Sequence, residues 1–372
     1  MAINCPARIG DRVEEVETPA LLIDVQAAER NIKRLQEITK GTSAIPRPHA
    51  KSHKCPNLAR MQIKHGAIGV CCQKVSEAVA LVNAGITDVL VANQIVDHRK
   101  IRRLSTLARR ARISVCVDQK QNVVDLSRIA SSMGTELYIL IEIDVGMKRC
   151  GVQPGPAVLS LAKTINEAKN LKFVGLQAYQ GAAQHLCLFE ERLRESKNVA
   201  KIVAVTVSEL KAAGIDCPTI SGGGTGTCRF DAESGVYTEI QAGSYVVMDV
   251  EYGDLQLEFE NSLYLWSQVM STPNNNFVVI DAGLKAFTVE KCMPKVSVFP
   301  GSGWDGITVT GTADEHSIVN VSKVSCMPKI GEKMRLIVPH CDPAVNLHDW
   351  LVCISEGKVI DLWPISARGP GL

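Results

Sequence analysis

No stretch of the 372-residue chain approaches the 18 or so consecutive apolar residues that a membrane-spanning helix requires, and the first twenty residues, MAINCPARIGDRVEEVETPA, lack the apolar centre of a secretory signal. These absences predict a cytoplasmic protein with no membrane partner. An excess of one charge is also lacking: 41 Lys and Arg against 39 Asp and Glu leave a formal +2, and aromatic residues make up only 5% of the chain. With neither a cationic field nor stacking platforms, nucleic acid is not an expected partner. The one basic cluster, from Arg99 to Arg112, follows helical spacing and reads as a solvated helix face. No CxxC pair occurs, so structural zinc is not expected. The thirteen cysteines lie mostly singly within apolar runs such as SVCVD and LVCIS, a usage that fits buried reduced thiols better than disulfides.

What is present is a large apolar content, 46%, with 22% charged residues, the balance of a protein with a sizeable core. The length accommodates one α/β barrel plus a smaller domain. From Leu21 to about Ile220 a short β-rich run, a turn and a helical stretch recur, the pattern of parallel βα units. Eight such runs are found: LLID at 21, IPRPHAK at 45, GVCC at 69, VLVA at 89, ISVCVD at 113, YILIEID at 138, FVGLQAY at 173 and TISGGG at 219. Eight strands close a barrel. After about residue 250 the rhythm becomes β-rich, with SLYLWSQVM, NFVVIDAG, DGITVTG, KMRLIVP, WLVCISEG and KVIDLWP separated by turn signals. The predicted fold is therefore α/β: a (β/α)8 barrel over residues 19–250, and a mostly β second domain formed by 1–18 with 251–372.

In such a barrel the active site lies at the C-terminal ends of the strands. The residues just beyond those ends here are RPHAKSHK, EIDVGMKRCG, QAYQGAAQH and SGGGTGT, which bring a lysine, an arginine, a tyrosine and a glycine-rich loop to one mouth. A lysine whose pKa is lowered by burial and neighbouring cations becomes a nucleophile towards carbonyl carbon, and Lys51, flanked by Arg47, His49, His53 and Lys54, has that setting; a solvated basic loop is the alternative. SGGGTGT can cradle a phosphate on its backbone N–H groups, or can simply be a packing device. His340 and Asp342, two apart at what reads as a strand end, point to one face with Cys341 turned away. An imidazole with a carboxylate suits a divalent ion, Mn or Mg rather than Zn.

Taken together, the ordered strings ETPALLID, RPHAKSHK, GVCCQKVSEA, EIDVGMKRCGV, AYQGAAQH, SGGGTGT, AGSYVVMD, VIDAGLKA, DEHS, PHCDP and WPISARG resemble the D-threonine aldolase and D-serine dehydratase family, fold-type III pyridoxal-phosphate enzymes related to the alanine racemase barrel. GVCCQKVSEA, HCDP, HDW and SARG look closest to the D-3-hydroxyaspartate aldolases. The resemblance implies a barrel of alanine racemase type, pyridoxal 5′-phosphate as cofactor on Lys51, and a homodimer. It implies Arg149 near the cofactor's phenolic oxygen and Tyr179 against its ring. It places the phosphate on Gly224, Thr225, Gly243, Ser244 and Tyr245, and the metal on His340 and Asp342. His185 is a candidate for the substrate hydroxyl, with a surface-loop histidine as the alternative. Arg368 is a candidate partner for a distal carboxylate, or else a residue of the C-terminal tail. The activity implied is retro-aldol cleavage of a D-3-hydroxy amino acid to glycine and an aldehyde. Two alternatives stand beside it, elimination to a keto acid and ammonia, and a non-catalytic pyridoxal-phosphate carrier. The family's D-serine dehydratases carry His-x-Cys where this chain has His340-Cys341-Asp342, which favours the aldolase.

Overall fold

The computed structural model describes residues 5–298 and 302–372, so residues 1–4 of the stretch assigned by sequence to the second domain lie outside the described residues. Two compact units emerge, one made of residues 33–51, 56–243 and 370–372, the other of the chain up to Ile32, Ser52–Cys55 and Ser244–Gly369.

The first unit is the barrel. Seven parallel strands, Ile45–Pro46, Val70–Cys72, Asp88–Gln94, Arg112–Val117, Leu137–Glu142, Leu171–Ala178 and Thr219–Gly222, are joined by an eighth, Glu239–Ile240. That last strand pairs with both Thr219–Gly222 and Ile45–Pro46. The ring closes where Ile68 N donates to Pro46 O at 3.0 Å, Cys71 N donates to Pro48 O at 2.9 Å, and His49 bridges Cys71 in parallel register. Strand residues alternate between two apolar environments, as parallel strands covered by helices must. Inward, Cys71, Leu90, Ala92, Cys116, Leu140 and Val174 pack as one cluster. Outward, Val89, Val91, Ile113, Val115, Ile139 and Ile141 are fully buried. Cys71 and Cys116 thus serve as small hydrophobes, and all thirteen cysteines are free, as the sequence predicts.

One of the eight predicted barrel strands is not in the barrel. The run at Leu21 does form a strand, Ala20–Asp24, but it pairs parallel with Trp350–Ser355 and antiparallel with Leu263–Ser271. A continuous apolar run fits any doubly covered strand, and only pairing distinguishes the sheets. The strand that takes its place, Glu239–Ile240, has two residues and leaves no periodicity to detect.

The second unit is built on that sheet. Its order runs Thr308–Thr312, Ser317–Asn320, Phe277–Ile280, Leu263–Ser271, Ala20–Asp24, Trp350–Ser355, Lys358–Pro364, with Lys333–Ile337 branching from Leu263–Ser271 and Lys295–Val296 pairing with Lys333–Ile337. Val13, Val16, Ala20, Leu22, Trp266, Val352 and Val359 form a core on it. The β-rich second half is as predicted. No helix of the described residues is long and apolar enough to cross a membrane.

Inside the barrel unit lies a buried ion-pair cluster. Arg47, 4% exposed, holds Glu239 through Nε and Nη2, both at 2.8 Å, and Asp88 through Nη1 at 2.7 Å. Glu239 and Asp88 are the first residues of their strands, so one guanidinium ties three strands together. A Cβ on Gly69 would stand 2.8 Å from Arg47 Nη1, which explains the glycine before Val70. Removing one partner of a buried pair leaves uncompensated charge, at a cost of about 3–5 kcal/mol. Arg47→Ala is therefore expected to lower unfolding stability by that order, as measured by denaturant titration, whereas an exposed control such as Arg102→Ala stays within about 0.5 kcal/mol.

Candidate active site

The barrel's C-terminal mouth holds a cavity of about 460 Å³, lined by His49, Lys51, Gln73, Ala92, Met147, Arg149, Gln177, Tyr179, Gly181, His185, Gly223 and Gln241. Nearly every one of these residues ends a strand or follows one within a few positions. Lys51, Arg149, Tyr179 and His185, singled out in the sequence, all line this one cavity.

Lys51 lies in the short 3-10 turn Ala50–Ser52, its backbone N–H 3.5 Å from His49 Nδ1. The cations that flank it in sequence do not surround it in space. Arg47 faces Glu239 and Asp88, and Lys54 bonds Asn346 Oδ1 at 2.8 Å and the Gly369 carbonyl at 3.2 Å. Of the flanking residues, His49 alone lines the cavity with it.

Arg149 reaches over the Tyr179 ring, with Cζ 5.8 Å from its centroid, and stands 4.0 Å from Glu142 Oε1. Glu142 is buried at the end of its strand and takes the Gln94 amide at 2.6 Å. Burial pushes its carboxyl above the usual range, against the opposing pull of Gln94 and Arg149. Gln177 and Gln241 exchange hydrogen bonds across the cavity wall at 3.2 and 2.6 Å, and Gln241 also donates to Ser221 Oγ at 2.7 Å. These glutamines and Gln73 are polar lining residues that sequence reasoning missed. The signal was there: VGLQAY and EIQAG each put one amide at the end of an apolar strand.

Gly224 and Thr225 sit in the glycine-rich loop behind Gly223. Each glycine there has a packing cause. A Cβ on Gly222 would stand 1.9 Å from the Ala178 carbonyl, one on Gly224 2.5 Å from Gln184 Oε1, and one on Gly226 2.1 Å from the Gln184 carbonyl. Gly223 adopts φ +72°. The glycines of SGGGTGT thus meet a packing demand, and Gly223 lines the cavity. Gly243 ends the barrel unit, and Ser244 and Tyr245 begin the turn Ser244–Val246 of the second unit.

In that second unit His340 and Asp342 come together, with Nε2 4.0 Å from Oδ1, but not by strand alternation. His340 is the extended N-cap of a helix, Cys341–Asn346, whose first turn carries Asp342. His340 Nδ1 contacts Glu290 Oε1 at 3.1 Å, which leaves Nε2 to act as ligand. Cys341 is buried: its N–H donates to Asp249 Oδ2 at 3.0 Å and its thiol donates to Asp342 Oδ1 at 3.5 Å. Burial drives that thiol well above its ordinary value. Donor atoms each about 2.1 Å from one ion lie roughly 3–4 Å apart, so the pair fits a divalent cation. Among the described residues there is no cluster of three or more His, Cys, Asp or Glu able to hold a metal. Two protein ligands with the rest left to water and substrate is the habit of Mg and Mn rather than of structural Zn.

The mouth also fits the group its sequence implies. It offers an amine for an aldehyde, a guanidinium for a phenolic oxygen, an aromatic face for a planar ring, and a volume typical of small-molecule sites.

Comparison with known proteins places this arrangement. Residues 23–250 match the alanine racemase N-terminal domain, and residues 262–354 match a serine dehydratase domain. The class is thus an alanine racemase-type barrel enzyme with an added β domain. Within it, the chain belongs to the D-threonine aldolase family of carbon–carbon lyases. It is 45% identical to a D-threonine aldolase of Arthrobacter over 99% of this chain and 97% of that one. It is 42% identical to a 3-hydroxy-D-aspartate aldolase of Paracoccus denitrificans over 99% and 96%. The crystal structure of a D-threonine aldolase from Filomicrobium marinum superposes with a TM-score of 0.95 at 39% identity, covering 99% of both chains.

The tight seat of the glycine loop is testable. Gly226→Ala forces a methyl into the Gln184 carbonyl, and overpacking of this kind costs about 1–3 kcal/mol. The apparent melting temperature is expected to fall by several degrees, whereas Gly253→Ala, in open space and without a positive φ, should shift it far less.

Proposed function

We propose that the chain is a pyridoxal 5′-phosphate- and divalent-metal-dependent aldolase that cleaves D-3-hydroxy amino acids between Cα and Cβ, releasing glycine and an aldehyde. The observation that carries this reading is the cavity that gathers Lys51, Arg149, Tyr179 and His185, in a chain whose second unit pairs His340 with Asp342. A homodimer belongs to the same reading and rests on the family resemblance.

Lys51 would carry the cofactor through its amine. Arg149 would neutralise the phenolic oxygen, itself held in place by Glu142 and the Tyr179 face. Gly224, Thr225, Gly243, Ser244 and Tyr245 would hold the phosphate. When bound, the cofactor supplies the conjugated sink for the electron pair of the broken bond. A divalent ion on His340 Nε2 and Asp342 would lower the pKa of the β-hydroxyl. His185, which lines the cavity, would take that hydroxyl's proton, the proton whose loss makes Cα–Cβ cleavage possible. The carboxylate at position 342, where the dehydratases have a thiolate, favours this outcome over elimination.

The relatives named above act on D-threonine and on 3-hydroxy-D-aspartate. Arg368, the candidate partner for a distal carboxylate, has its Nε hydrogen-bonded to Asp349. A substrate carboxylate would have to share that cation, so we place an uncharged side chain such as that of D-threonine ahead of 3-hydroxyaspartate.

Incubation of the protein with pyridoxal 5′-phosphate, Mn or Mg, and D-threonine, D-3-hydroxyaspartate or D-serine should yield glycine plus aldehyde. Ammonia plus a keto acid would overturn the assignment. Lys51→Ala should release the cofactor on gel filtration, and a variant that retains its visible absorption removes Lys51 from the role. For the metal, His340→Ala should abolish measurable Mn binding in titration calorimetry, and Glu290→Gln should weaken it by roughly 10–100-fold, the usual effect of losing a residue that orients a ligand imidazole.

A further inference from the structure

One buried carboxylate of the barrel unit has no part in the reaction just described. Asp231, 3% exposed, lies on the helix Cys228–Glu233. Its two oxygens accept hydroxyl donors from two sides, Ser196 Oγ at 2.6 Å and Thr227 Oγ1 at 2.5 Å. Thr227 ends the glycine-rich loop, and a Cβ on Gly223 would stand 2.6 Å from Asp231 Oδ2, so the carboxylate packs directly against that loop. Thr227 Oγ1 in turn accepts Gln184 Nε2 at 2.9 Å, and Gln184 Oε1 accepts the Gly226 N–H at 3.0 Å. Gln184 immediately precedes His185.

The polarity of this chain of bonds is set at one end. An ionised carboxylate only accepts, so the Thr227 proton is committed to it and the Thr227 oxygen must accept from beyond. Only the nitrogen of the Gln184 amide can meet that demand, which leaves its oxygen for the loop N–H. We propose that Asp231 is a positioning residue that, through Thr227 and Gln184, locks the cofactor-phosphate loop and the His185 turn into one rigid piece. The proposal rests on reading the adjoining cavity as the cofactor site.

Asp231 has this role at the expense of stability. Burial raises its carboxyl to about 6, opposed only by the hydroxyls of Ser196 and Thr227. The titratable groups facing it, Tyr237 and Cys228, are both pushed up by burial and by its charge, and neither has a cationic form. A folded-state value above the ordinary 3.8 favours the fold at low pH, and that contribution is lost as pH rises through about 6. At neutral pH the ionised group works against folding, so a purely structural role would not explain a carboxylate here.

The test uses the full chain stripped of cofactor and titrated with pyridoxal 5′-phosphate. Asp231→Asn and Thr227→Val are expected to raise its Kd by roughly tenfold, the scale of one charge-assisted hydrogen bond. Thr227→Ser, which keeps the hydroxyl, should restore the parent value. The melting temperature of cofactor-free Asp231→Asn at pH 7.5 should be no lower than the parent's. Variants that bind within twofold of the parent overturn the proposal, as does weakened binding accompanied by a lowered melting temperature in Asp231→Asn. A parent chain that does not bind the cofactor removes the underlying reading and the proposal with it, whereas a binding parent with unchanged variants removes the proposal alone.

Discussion

The constraint on which the rest depends is that barrel strands are covered on both faces. Inside, Leu90, Leu140 and Val174 fill the core, and outside, Val89, Ile113 and Ile139 meet the helices. Polar side chains placed along such strands would be buried without water, so they collect at the ends, where loops can solvate or pair them. The two ends have then diverged. At the start of two strands Glu239 and Asp88 are both engaged by Arg47, and Arg112 stands 3.6 Å from Asp88 as a second cation. At the finish Lys51, Gln73, Arg149, Gln177, Tyr179 and Gln241 ring a cavity. Chemistry is possible at the second end because these polar side chains surround a cavity.

This division explains which parts of the site could be read from the sequence. Lys51, Arg149 and Tyr179 stand out because each follows an apolar run, and position after a strand is a signal that needs no partner. What the sequence hides is side-chain direction. Arg47 and Lys54 lie four and three residues from Lys51 and look like its neighbours, yet their guanidinium and ammonium groups are bound to Glu239 and Asp88 and to Asn346. The same holds for the Leu21 run, whose partners at residues 263–266 and 351–354 are more than two hundred positions away. A run of apolar residues records that a strand is covered on both faces and carries no record of which sheet covers it.

His340 and Asp342 illustrate a right pairing reached by the wrong geometry. Strand alternation would have put both side chains on one face with Cys341 opposite. Instead the chain turns into the helix Cys341–Asn346 at that point, and proximity comes from a cap and the first turn of that helix. Proline at 343 lies within the first turn, where its missing N–H costs nothing. This geometry has a consequence the strand would lack. Cys341 is driven inward, where Asp249 takes its N–H and its thiol reaches Asp342 Oδ1.

The glycine-rich loop draws these threads to one point. Its glycines are required by contact with Ala178, Gln184 and Asp231, a packing demand that would exist with no ligand at all. Packing and ligand binding are therefore not rival explanations here. Because no side chain fits between the loop and its neighbours, the loop has few conformations available, and a backbone with few conformations loses little entropy when it binds. Asp231 extends that logic to polarity, since the direction in which Thr227 and Gln184 hand on their hydrogen bonds follows from its charge. A neutral residue would serve the fold at least as well, and the charge finds its reason in the rigidity of the mouth above it.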